Sequence, residues 1–134
     1  MGSHKFSAYL FARLAIGMSF LGHGIVRLPK VAEFAGGMVN NFQSTPLPDG
    51  MVRYFGVVLP YFELVLGALL ILGLLTRIAL YAGSVLMIVL IFGSCLVENW
   101  SGVGTQLFYS LYFTVLIGFY EYNRYSVDFR IGRG

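Results

Sequence analysis

Apolar residues in this chain come in long unbroken runs, neither alternating as in a strand nor striped as on a surface helix. A helix needs about 20 apolar residues to cross a hydrocarbon core about 30 Å thick at 1.5 Å per residue. Four windows meet that requirement, at residues 7–28, 51–75, 78–97 and 105–122. They predict an all-α, polytopic membrane protein with a single domain over residues 1–134. Only Thr76 and Arg77 separate the second window from the third, and a short turn containing Glu98, Asn99 and Trp100 leads to the fourth. Such links make sequential helices antiparallel neighbours, so the expected architecture is an antiparallel four-helix bundle.

The link between the first two windows is longer. Val31, Phe34, Ala35, Met38 and Phe42 recur at helical spacing opposite Lys30, Glu33, Asn40 and Asn41. This predicts an amphipathic helix at about residues 30–43 that lies in the membrane interface. Pro29 suits its first turn, Gly36 and Gly37 weaken it, and Pro46 and Pro48 return the chain to the membrane. Residues 1–4 read equally as native sequence or as the remnant of a tag and carry no weight in this reading.

Composition agrees with the pattern. Hydrophobic residues make up 57% of the chain and charged residues 11%, far from the balance of a soluble or a disordered chain. The net charge is only +3, and no basic cluster is dense enough to follow a phosphate backbone, so no nucleic-acid partner is expected. Instead the cations orient the bundle. Lys5, Arg77, Arg124, Arg130 and Arg133 fall on the side of the termini, against Arg27, Lys30 and Arg53 on the other, which places both termini in the cytoplasm.

Metal chemistry has little to work with. Cys95 has no partner cysteine, and the histidines are His4 and His23. No metal site and no bis-histidine haem is expected.

Charge within the spans is scarce and costly, so each example needs a partner or a wet cavity. Arg13 lies about two turns inside the first window and Glu63 at the middle of the second. Counted from the cytoplasmic ends, their depths differ by about 9 Å at 1.5 Å per residue. The expectation is that Arg13 and Glu63 face each other in a polar cleft between the first two spans. Phe20, Gly24 and Arg27 fall near Arg13 around the first helix, with His23 at the edge of the stripe. Gly17 and Gly24 on this stripe allow close approach of another helix or of a flat ligand. His23 is the one span residue able to exchange a proton near neutrality. The plainer alternatives are that Arg13 and Glu63 fix helix register, that His23 binds a local carbonyl, and that Arg27 reaches to headgroups.

Residues 13–28, with Arg13, Gly17, Phe20, His23, Gly24 and Arg27, resemble the first-helix signature of the DoxX/DoxD family. Residues 63–77, with Glu63, Gly67, Gly73 and Arg77, resemble its second. The family includes the membrane subunit of thiosulfate:quinone oxidoreductase. The resemblance therefore implies a protein of the bacterial inner membrane that uses a membrane quinone, with other membrane or periplasmic subunits as partners. In that reading His23 and Glu63 are catalytic, and Arg13, Arg27 and Gly24 bind ligand. The rival is a non-catalytic accessory subunit of a larger membrane complex. A small transporter fits less well, because the charged first half has no counterpart in the second.

Overall fold

A computed structural model describes residues 2–132, and every regular element among them is helical. Helix α1 (Gly2–Arg27) passes through a single 3-10 turn (Leu28–Lys30) into α2 (Val31–Asn41). Then follow α3 (Asp49–Leu72), α4 (Thr76–Leu96), α5 (Trp100–Gly118), a second 3-10 turn (Tyr120–Tyr122) and the short α6 (Val127–Arg130). Arg133, counted above among the orienting cations, lies outside the described residues.

Three helical segments are long and apolar enough to cross a membrane: Gly2–Asn41, which takes in α1 and α2, then α3 and α4. The protein is an integral membrane protein. The fourth expected span, α5, has 19 residues but is diluted by Ser101, Thr105, Gln106, Ser110 and Thr114, and it falls outside this group.

Glycines set the register between α1 and α3. A Cβ on Gly17 would stand 3.0 Å from Leu70, and one on Gly24 2.8 Å from Leu64. Gly67 in turn receives the backbone of Leu21. With no side chains at these positions the two helices touch almost backbone to backbone, running in opposite directions. The series continues beyond α1, because a Cβ on Gly56 would lie 2.9 Å from the Cα of Ala35. Helix α2 thus packs on the N-terminal half of α3 through its buried residues Ala35 and Val39. The amphipathic pattern was real, but its apolar face found a glycine groove. Pro29, which has no N–H to give, marks the break between the two halves of this long first segment.

The register decides depth. Arg27 comes level with Glu63, well inside α3, whereas Arg13 comes level with Gly73, just past the end of α3. Two tyrosines tie α1 to α5: Tyr9 donates to the Leu116 carbonyl at 2.6 Å, and Tyr112 to the Ala12 carbonyl at 2.6 Å. Phe113, fully buried, fills the space over Gly83 and packs on Phe20 at 5.5 Å between ring centroids.

The tight connection between α3 and α4 is finished by residues far along the chain. Gly73 takes a left-handed conformation at φ 71°, and so does Leu75 at φ 50°, where a branched side chain is strained. Asp128 holds this turn: its Oδ1 accepts from the Leu75 N–H and its Oδ2 from the Thr76 N–H, both at 2.7 Å. The first N–H groups of α4 are thereby satisfied by a carboxylate from the C-terminal segment.

Candidate functional site

At the level of Glu63 the two halves of the first segment meet α3. Glu63 is nearly buried, and the Arg27 Nη1 donates to its Oε1 at 2.9 Å. The Arg27 guanidinium also lies over the Phe34 ring, 4.5 Å from its centroid, so the end of α1 and the start of α2 both hold it. One turn earlier, the His23 Nδ1 stands 2.6 Å from the Ser19 carbonyl oxygen. A carbonyl only accepts, so Nδ1 carries the hydrogen. With that hydrogen on Nδ1, Nε2 is the nitrogen left to exchange a proton or to accept a hydrogen bond. The Ser19 hydroxyl, 2.8 Å from the Tyr109 hydroxyl, links this part of α1 to α5.

These groups border a cavity of about 910 Å³, near the upper end of the range for small-molecule sites. Its walls come from α1 to α5. Phe20, Phe34, Phe42, Phe55 and Tyr109 give it aromatic surfaces, Glu63, Arg27 and His23 supply charge and proton chemistry, and Leu47 and Asn99 reach it from the loops. Gln106 also lines it, and the Gln106 Oε1 is buried without a hydrogen-bond partner. Among the described residues no three His, Cys, Asp or Glu side chains gather as metal ligands do.

The structure brings together three of the five residues singled out from the sequence, His23, Arg27 and Glu63. Arg13 and Gly24 are elsewhere. The expected pairing of Arg13 with Glu63 is corrected: Arg13 donates from Nε to the Leu70 carbonyl at 2.7 Å, from Nη1 to the Asn123 Oδ1 at 2.6 Å and from Nη2 to the Tyr125 carbonyl at 3.0 Å. It satisfies a carbonyl left free at the C-terminal end of α3 and holds the C-terminal segment against it. Gly24 receives Leu64 and does not line this cavity. The seam between α1 and α3 is closed by the same glycines, so the cavity lies beside it and not in a cleft between these two helices.

Ser19, Tyr109 and Gln106 were not anticipated. Gln106 had a signal, an amide inside an otherwise apolar window. Asn123 and Asp128 had none, since each acts on partners more than 50 residues away.

A family model described as DoxX matches residues 8–94. The chain belongs to the DoxX family. The DoxX match contains most of α1, all of α2 and α3 and almost all of α4, and with them His23, Arg27 and Glu63. Gln106, Tyr109, Asn123 and Asp128 lie beyond the DoxX match. No curated protein and no solved structure matches the chain.

Proposed function

We propose that this protein binds a membrane quinone in the cavity and works as a quinone-linked redox protein, or as such a subunit of a larger complex, in the bacterial cytoplasmic membrane. In this reading α5 is the fourth span of a single antiparallel four-helix domain, with both termini in the cytoplasm. One observation carries the proposal: an aromatic-walled cavity of about 910 Å³ that ends on a nearly buried carboxylate, its partly exposed arginine partner and a histidine. The fit is chemical as well as spatial. Flat rings suit the Phe and Tyr walls, and a polar rim on such a ring suits the unpartnered Gln106 amide and the His23 Nε2.

In this reading the residues divide the work. His23, held by Ser19, takes up or returns a proton at Nε2. Arg27 pairs with Glu63 at 2.9 Å and offers its remaining N–H groups to a ring oxygen. A quinone, when bound, supplies two-electron, two-proton carrier chemistry, while the protein orients the ring and keeps bulk water away.

The test is solvent extraction and mass spectrometry of the detergent-purified protein, with co-purifying subunits identified in the same sample. A stoichiometric quinone, weakened in His23→Ala, is the expected result. Protein that neither carries nor takes up quinone would overturn the proposal, and stable subunits without quinone would favour an accessory role.

A further inference from the structure

We infer that the cavity selects the hydroxylated, reduced form of its aromatic ligand over the carbonyl form; this rests on the reading of the cavity as a quinone site. The inference comes from sorting the polar atoms on its wall by what they require. A ligand hydroxyl both donates and accepts, whereas a ligand carbonyl only accepts. Protein donors therefore serve both forms of the ring, and only protein acceptors that lack a hydrogen can tell them apart.

Several such acceptors border the cavity, among them the Gln106, Glu33 and Glu63 side-chain oxygens and the His23 Nε2. The Gln106 Oε1 is buried and unpartnered. The His23 Nε2 is a bare lone pair in the neutral ring, because the Ser19 carbonyl claims the hydrogen on Nδ1. The Glu63 Oε1 takes the Arg27 N–H, and among the described residues its Oε2 takes no hydrogen bond. Against a ring carbonyl each of these would meet another acceptor. Against a ring hydroxyl each gains a donor, and the charged carboxylate makes the stronger kind of bond.

The donors on the wall do not reverse this. Arg27 offers N–H groups beyond its bond to Glu63, but a hydroxyl oxygen accepts them as a carbonyl does. Tyr109 and Ser19 already share one hydrogen bond, and their hydroxyls can turn to either form. A buried acceptor that needs a donor, here the Gln106 Oε1, discriminates against a ligand that cannot supply one. Tighter binding of the reduced form also raises the reduction potential of the bound couple, by about 30 mV for each tenfold of preference in a two-electron couple.

The experiment uses the full chain in nanodiscs under anaerobic conditions, with three probes: a decyl-substituted benzoquinol, the matching quinone, and the dimethyl ether of the quinol, which has the ring shape but no hydrogen to donate. Equilibrium dialysis measures each affinity. The quinol should bind at least about tenfold more tightly than either of the others, a difference of the size expected from hydrogen bonds to buried acceptors. Gln106→Leu should weaken quinol binding several-fold more than it weakens binding of the quinone or the dimethyl ether. Equal affinities, tighter quinone, or an equal loss of all three probes in Gln106→Leu would overturn the inference while leaving the cavity a quinone site. Failure of every probe to bind would remove the quinone reading itself, and this inference with it.

Discussion

Arg27 and Glu63 are 36 residues apart in the chain and 2.9 Å apart in space, and their pairing brings the end of α1 level with the interior of α3. The carboxylate is almost wholly enclosed, at 6% exposure, and the guanidinium partly open, at 29%. Removing the cation alone strands a buried charge. Arg27→Gln should destabilise the protein by about 3 kcal/mol, the low end for a broken buried pair because Arg27 is partly exposed. The double variant Arg27→Gln with Glu63→Gln should recover much of that. Reversible unfolding in mixed micelles measures both, and simple additivity of the two single effects would contradict the pairing.

Arg13 makes a different prediction, since its three donors converge on Leu70, Asn123 and Tyr125 and not on the cavity. Arg13→Lys keeps the charge and loses the planar fork. It should cost about 2–4 kcal/mol through the loss of hydrogen bonds at a buried site. It should also expose the C-terminal segment, so that trypsin cuts at Arg124 several-fold faster, while the affinity for any cavity ligand stays the same. A ligand effect without faster cleavage would restore Arg13 to the binding site.

The glycines divide into two kinds. Gly24 and Gly67 face the other helix at backbone distance, and an added methyl must push α1 from α3. Alanine at either should destabilise by about 1–3 kcal/mol or more. Gly36 in α2 has nothing within 4 Å of an added Cβ. There alanine should stabilise by about 0.5–1 kcal/mol, the helical cost of glycine removed. Thermal unfolding of the three variants gives opposite signs if the seam is as described.

Asp128 supplies the cap of α4 from the far end of the chain. Asp128→Ala loses two bonds of 2.7 Å and should cost about 1–2 kcal/mol. Asp128→Asn, which keeps one acceptor, should cost less. Hydrogen exchange at Leu75 and Thr76 should accelerate in both, ahead of exchange elsewhere in α4. Unchanged protection there would show that the turn stands without the carboxylate.

How much of this could be read from the sequence depends on the distance over which each feature is specified. The second and third windows, 51–75 and 78–97, lie close to α3 at Asp49–Leu72 and α4 at Thr76–Leu96, because an unbroken apolar run specifies a helix locally. Scarcity of charge picked out Glu63, and the four-residue spacing placed His23 and Arg27 together. The partner of Glu63 was misjudged because depth was counted from the ends of apolar windows. Close packing at Gly17, Gly24 and Gly67 slides α1 along α3, so Arg27 and not Arg13 arrives at the carboxylate. The apolar stripe of α2 was legible, but whether lipid or Gly56 would cover it was not. The aspartate that caps α4 leaves no local trace, since its partners stand 52 and 53 residues earlier.

That separation bears on how the molecule is made. The bend between α3 and α4 contains a leucine in a left-handed conformation and two N–H groups that nothing nearby satisfies. The α3–α4 hairpin cannot close its own bend, because the carboxylate that does so belongs to a segment on the far side of α5. Completion of this bend therefore belongs to the assembly of the whole bundle and not to the hairpin alone.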